Sequence, residues 1–221
     1  CLPPGAPANT NLVVNGDFSA GFASWNRWYT ISAINNGVME IARQTGTPHG
    51  GFVQTINQPI PINAPMELTL QMGNSSAQPK SITLYLNTPD FSISQSCTFV
   101  VPANTPLQTY TLRTLMPAAL SSFSLTGGIN TADSLMALRV DNLNLQYKPA
   151  LSISGTECLP PGAPANTNLV VNGDFSAGFA SWNRWNAISA ITSGVMEIAR
   201  QTGTPHGGFV DRKSTRLNSS H

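Results

Sequence analysis

Apolar and polar residues alternate with a period of two along much of this chain. Leu68, Leu70 and Met72 fall on one side while Thr69 and Gln71 fall on the other. Ile82, Leu84 and Leu86 alternate in the same way with Thr83 and Tyr85. An extended backbone sends successive side chains to opposite faces, so both stretches are predicted strands with one dry and one wet face. Tyr85 is thereby predicted to be an outward-facing aromatic. Residues 97–101, 107–113 and 123–126 are further predicted strands, divided by Pro-rich or small polar turns.

Earlier in the chain, residues 11–14 read as a short strand before a turn at Asn15-Gly16-Asp17. Residues 28–34 and 38–43 flank Asn35-Asn36-Gly37, a hairpin signal, and residues 51–56 form another predicted strand. Near the end of this region Leu138 and Val140 share a face, whereas Leu143, Leu145 and Tyr147 continue on the opposite parity. A one-residue slip of this kind predicts a β-bulge at Asp141-Asn142. Asp141 is then either re-aimed toward a ligand or an edge carboxylate in water. No segment keeps apolar spacing of three and four residues over a helix-sized window. Many short strands with frequent turns in about 150 residues predict an all-β protein, a β-sandwich with a sizeable core.

The pattern restarts. Cys1-Leu2-Pro3-Pro4-Gly5-Ala6-Pro7 recurs from Cys158, an offset of 157 residues, and the register holds as far as Val53 against Val210. Only Tyr29/Asn186, Thr30/Ala187, Asn35/Thr192 and Asn36/Ser193 differ. A repeat this long is a whole domain rather than a solenoid unit. The expected organisation is a Pro-rich linker at 1–10, a complete module at 11–149, a second linker at 150–167 and a truncated copy at 168–210. That copy lacks partners for its strands and is expected to be poorly ordered, or to pair with an exposed edge of the first module.

Residues 211–221 depart abruptly from the template and resemble the translation of a common sequencing-library adapter along their whole length. They are set aside from fold reasoning as a non-biological tail.

The chain has 11 basic and 10 acidic residues. Without the tail the balance is 8 against 9, so nothing marks an electrostatic footprint for nucleic acid. No apolar run is long enough to cross a membrane, so no membrane insertion is expected of this fragment. Each repeat carries one cysteine in the linker and one in the domain. Two readings stand: a Cys1–Cys97 disulfide in an oxidising setting that leaves Cys158 odd, or free buried thiols.

The stretch from Asn11 to Phe18 (Asn-Leu-Val-Val-Asn-Gly-Asp-Phe), followed by Trp25, resembles the opening of the jelly-roll carbohydrate-binding modules found beside bacterial cellulases and xylanases. These belong to the galactose-binding-like sandwiches. Gly51-Phe52-Val53-Gln54-Thr55 and the ending from Leu138 to Leu145 fit the same pattern. The resemblance implies a jelly-roll sandwich that binds a polysaccharide or other glycan outside the cell or on its surface. It also implies a structural calcium, held by an acidic residue after the Asp-Phe pair and a carboxylate on the last strand. Here Ser19 stands where the family commonly has Glu, which leaves Asp17 and Asp141 as the candidate oxygen ligands.

Such modules stack aromatic faces on sugar rings and bond hydroxyls with amides and charged groups. The candidates are Trp28, Tyr29, Tyr85 and Phe91, with Arg43, His49, Gln54 and Gln71 as polar partners. Trp25 is expected in the core, and Tyr29, replaced by Asn186 in the second copy, is expected to be wet. For catalysis there is no motif. The acidic residues are scattered, each copy has one histidine (His49 and its counterpart His206), and no zinc spacing or nucleophile elbow is present. Two functions are expected to compete: a non-catalytic glycan binder that gains avidity by repetition, or a structural or adhesive spacer without a sugar site.

Overall fold

The computed structural model describes residues 6–163, 179, 182–192, 195–203 and 208–211. It divides into two units, residues 1–163 and 164–221. In chain order the strands of the first unit are β1 (Asn26–Trp28), β2 (Thr30–Asn35), β3 (Val38–Arg43), β4 (Gly51–Ile56), β5 (Ala64–Asn74) and β6 (Lys80–Asn87). They continue with β7 (Ser94–Val101), β8 (Thr105–Met116), β9 (Phe123–Ile129), β10 (Leu138–Tyr147) and β11 (Glu157–Leu159). A small sheet has the order β1-β4-β9-β6-β7 and a large sheet the order β11-β8-β5-β10-β3-β2. From β4 to β6 and again from β7 to β10, each strand crosses to the other sheet. This is the β-sandwich expected of the alternating pattern, with the jelly-roll arrangement that the resemblance implies.

The alternation sorts the side chains as predicted. Leu68, Leu70 and Met72 of β5 and Ile82, Leu84 and Leu86 of β6 are buried between the sheets, with Phe52, Tyr110, Phe123 and Trp25. The hairpin between β2 and β3 turns on Asn36 (φ 52°) and Gly37 (φ 79°). Two successive positive φ angles match the twist of the strands they join, which is why Asn-Gly suits this turn. The expected single strand 28–34 is broken at Tyr29, whose φ is 47°. That left-handed residue is the corner at which the chain leaves the small sheet as β1 and enters the large one as β2. Asn186, its counterpart, has φ 48°. Asn adopts this region more readily than Tyr, which gives the Tyr29/Asn186 difference a backbone reason.

The bulge is present where parity breaks. β10 pairs with β5 in one register through Asp141 and in a shifted one from Asn144, with Asn142 at φ 52°. On its other side β10 meets β3 along Leu138–Val140. Beyond the bulge, that side is taken over by the N-terminal segment. Leu12 N–H donates to the Leu145 carbonyl, Leu143 N–H to the Gly16 carbonyl, and Ala8 bridges Tyr147 in parallel. Residues 11–14 are therefore a strap rather than the expected strand. Asn11 supplies the acceptor a strand backbone would have offered, taking Leu145 N–H on its Oδ1.

The expected Cys1–Cys97 bond is not the one formed. Cys97 is joined to Cys158, closing 61 residues of chain, which the chain-entropy account values at about 4 kcal/mol. The reason is that 157–159, inside the segment expected to be linker, forms β11 on the edge of β8 with Cys158 opposite Leu112. Thr156 Oγ1 meets Thr114 Oγ1 at 2.7 Å and donates to Gln95 Oε1 at 2.9 Å. Edge strands of the two sheets, β7 and β11, are thus stapled together at one seam of the sandwich.

Outside this seam, Glu67 on the outer face of β5 accepts from Arg113 (2.7 Å) and Lys148 (2.6 Å). Burial works to raise its pKa, but bonds and charge from Lys148 and Arg113 prevail and hold it below the usual carboxylate range.

In the second unit the described strands are β12 (Trp182–Trp185), β13 (Ala187–Thr192), β14 (Val195–Arg200) and β15 (Gly208–Asp211). β12 pairs with β15 and β13 with β14, repeating the registers of β1 with β4 and β2 with β3. Among the described residues, each of these strands pairs within the second unit. Most of the tail, 212–221, lies outside the described residues, while Asp211 pairs with Trp182.

Candidate functional site

On the outer face of the small sheet, Trp28, His49, Tyr85 and Phe91 converge on a cleft of about 460 Å³. Its floor is Thr126 and Gly128 of β9, and Pro48, Gly50, Ile129 and Asn130 complete the lining. Trp28 stands on edge strand β1, opposite Gly51. A Cβ at Gly51 would lie 2.7 Å from the Trp28 ring and 2.2 Å from the Gly127 carbonyl oxygen. Glycine there is what lets the indole lie close against the sheet. Tyr85 projects from β6 as its odd parity predicts, and packs edge-to-face on Phe91 with ring centroids 5.7 Å apart.

Phe91 is half exposed at 51% and sits in a left-handed turn, φ 58°. Asp90 fixes that turn, its Oδ1 accepting from Thr88 Oγ1 (2.6 Å), Ser92 Oγ (2.8 Å) and Ser92 N–H (3.1 Å). Bonds from Thr88 and then Ser92 hold the Asp90 carboxyl down to about 2. An exposed aromatic held by so many local bonds is pre-positioned, since little side-chain or loop freedom remains to be lost on contact.

The remaining candidates divide. Arg43 does not line the cleft but supports its rim. One guanidinium nitrogen donates to the Thr47 carbonyl and another to that of Asn130 at 3.1 Å. Asn130 in turn donates to Ser81 Oγ and Thr83 Oγ1. Tyr29 is 61% exposed, at the sheet corner and outside the cleft lining.

Gln54 is a correction. It is buried, exchanges two 2.8 Å bonds with the Val14 backbone and pins the N-terminal strap, so its amide is already used. Gln71 lies on the other sheet, accepting from Asn142 Nδ2 at 3.0 Å. It lines a second, polar cleft of about 590 Å³ with Asn11, Asp17, Thr69, Thr109 and Asn144. Sequence reasoning missed Asn130 and Thr126 as cleft residues; their proximity to Tyr85 is set by the β6–β9 pairing, which no local pattern encodes.

The expected calcium ligands do come near one another. Burial, and secondarily the charge of Asp17, hold the Asp141 carboxyl above its usual range, while Asn142 N–H opposes this. Asp17 is held low by Ser19, whose N–H and Oγ both bond its Oδ1 at 3.2 and 3.0 Å. Asp141 accepts from the Asn142 backbone and side chain. Internal donors therefore take Asp17 Oδ1 and both oxygens of Asp141, and Ser19 offers a hydroxyl where the resemblance has a third carboxylate. Among the described residues no group of three or more His, Cys, Asp or Glu side chains gathers.

No family model matches the sequence, and a search of curated proteins finds no relative. Solved structures are similar in shape at low identity. One is the enzymatically active domain of tailspike protein 4 of bacteriophage CBA120, 13% identical with a TM-score of 0.47 over 62% of this chain. This chain spans 21% of that structure's length. Another is a CBM4 carbohydrate-binding module, 14% identical with a TM-score of 0.46 over 61% of this chain and 98% of the module. A third is a family 16 carbohydrate-binding module, 16% identical with a TM-score of 0.42 over 61% of this chain and 99% of the module.

Proposed function

We propose that the first module is a non-catalytic glycan-binding domain, and that the cleft of Trp28, Tyr85 and Phe91 is its binding face. The observation that carries this reading is the placement of three aromatic side chains around one open cleft on the outer face of the small sheet. Aromatic faces bury the C–H surface of a sugar ring, while His49, Asn130 and Thr126 offer groups for its hydroxyls. Asp90, Gly51 and Arg43 are positioning residues. The Cys97–Cys158 bond supports a secreted or cell-surface location, since such bonds persist in oxidising compartments.

The test is affinity electrophoresis of the whole chain through gels containing a panel of plant and microbial polysaccharides. At least one is expected to retard it. Trp28→Ala and Tyr85→Ala are each expected to weaken that retardation roughly tenfold, an aromatic contact being worth about 1 to 1.5 kcal/mol. Gln71→Ala, on the opposite face, should leave it unchanged. A folded chain that no polysaccharide retards would instead make the module a structural spacer.

A further inference from the structure

Asn130 follows β9 into the aromatic cleft with almost every polar group already engaged. Its backbone N–H donates to the Ser81 carbonyl at 2.9 Å, and its own carbonyl accepts from Arg43 at 3.1 Å. Its side-chain nitrogen Nδ2 donates twice, to Ser81 Oγ at 3.0 Å and to Thr83 Oγ1 at 2.9 Å. A carboxamide has two donor hydrogens and one acceptor oxygen, so the group left for a ligand is Oδ1. Thr83 is buried beneath this contact and does not line the cleft. Its hydroxyl meets Thr98 Oγ1 across the β6–β7 pair at 2.8 Å. A chain of hydroxyls thus runs from edge strand β7 through β6 and fixes the Asn130 carboxamide.

The charged groups around the cleft are used elsewhere. Among the described residues that line it there is no Lys, Arg, Asp or Glu. Arg43 at the rim gives two guanidinium nitrogens to the Thr47 and Asn130 carbonyls. The Asp90 carboxylate is held inside its own turn, and Lys80 pairs with Asp133.

We infer that Asn130 is the specificity-determining residue of the cleft, and that its ligand is an uncharged glycan that donates a hydroxyl to Asn130 Oδ1. This rests on the glycan-binding reading of the cleft. A sugar hydroxyl can donate to Oδ1. An ionised carboxylate or a sulfate can only accept, so in the same place it faces a lone pair, gives up its hydration and finds no cation. Thr83 and Thr98 are positioning residues, because they act through the Asn130 carboxamide.

The test is affinity electrophoresis of the whole chain at about pH 8.5, where histidine is neutral. The gels contain cellulose, xylan, mannan or galactan, each as its hydroxyethyl and its carboxymethyl ether, so that the two members of a pair differ in charge. At least one hydroxyethyl ether is expected to retard the chain, and its carboxymethyl partner to do so at least about fivefold less. Asn130→Ala and Thr83→Val are each expected to weaken the neutral retardation about fivefold, the loss of one hydrogen bond. Thr83→Ser keeps the hydroxyl and should bind as the wild type does, which separates positioning from a general loss of stability. Asn130→Asp keeps an acceptor at Oδ1 and should stay within about twofold, whereas a contact made by the amide nitrogen would be lost. Equal retardation by the charged partner, wild-type binding by Thr83→Val, or loss of binding in Asn130→Asp would overturn the inference. The glycan-binding reading itself, which Trp28→Ala and Tyr85→Ala test, would survive those results. A folded chain that none of the gels retards would remove both.

Discussion

Strands β2 and β3 in the first copy and β13 and β14 in the second have nearly the same sequence and the same register, yet their apolar side chains meet different surroundings. Ile41 is fully buried, and its counterpart Ile198 is 43% exposed. Met39 is fully buried, and Met196 is only half-buried. Ile188 is 65% exposed, whereas Ile31 is half-buried. In the first copy, Leu138 and Val140 of β10 lie opposite Ile41 and Met39, and all four belong to one buried apolar core. The second copy has no counterpart of β5 to β10 in this chain. The hairpin is therefore a local product of its turn and its alternation, while burial comes from strands distant in sequence. Local pairing without a covered face is marginal in water.

The sharpest way to probe that difference is to make one substitution twice. Ile41→Ala is expected to destabilise the first module by about 4 kcal/mol, because it opens a cavity among buried neighbours. Ile198→Ala should change the stability of the chain by less than about 0.5 kcal/mol. Urea unfolding followed by tryptophan fluorescence reads both, and equal costs would break the comparison.

Next in size is Glu67→Gln, which acts on β5, a strand without a counterpart in the second copy. Loss of two charge-assisted bonds is expected to cost about 2 kcal/mol at pH 7. Because the folded pKa of Glu67 is depressed, its stabilisation is fully present above the unfolded value. It is lost as pH falls through the folded one. The melting curves of wild type and variant should therefore converge in acid, and a gap that persists at pH 2 would refute the ion-pair account.

Smallest is the exchange that nature has already made between the copies. Tyr29→Asn is expected to stabilise the first module by about 0.5 kcal/mol, since Asn accepts the left-handed corner more readily. A destabilisation would mean that the Tyr29 ring does more for the fold than its exposure suggests.

Much of this could be read in the sequence because it is local. The parity of β5 and β6 placed Leu68, Leu84 and the outward Tyr85. Asn36-Gly37 announced a hairpin, and the parity break at Asp141-Asn142 announced the bulge. What could not be read depends on distant partners. Two identical heptapeptides offered Cys97 a choice that only the β8 edge decides. A glutamine amide such as that of Gln54 bonds a backbone as readily as a sugar hydroxyl. A left-handed Tyr leaves no mark in hydropathy, so the corner at Tyr29 was hidden inside what read as one strand.

The strap that closes β10 has a consequence for synthesis. Asn11 and Leu12, among the first residues of a module to leave the ribosome, bond Leu145, among the last. At about 5 to 20 residues per second, roughly 7 to 27 seconds separate them. The large sheet cannot be completed in that interval, and the cysteine that staples it arrives only with the opening of the next repeat. A ribosome translating this chain thus carries an unfinished first module beside the start of its near-identical copy. Mispairing between the two is a hazard that the four differences from Tyr29/Asn186 to Asn36/Ser193 do little to reduce.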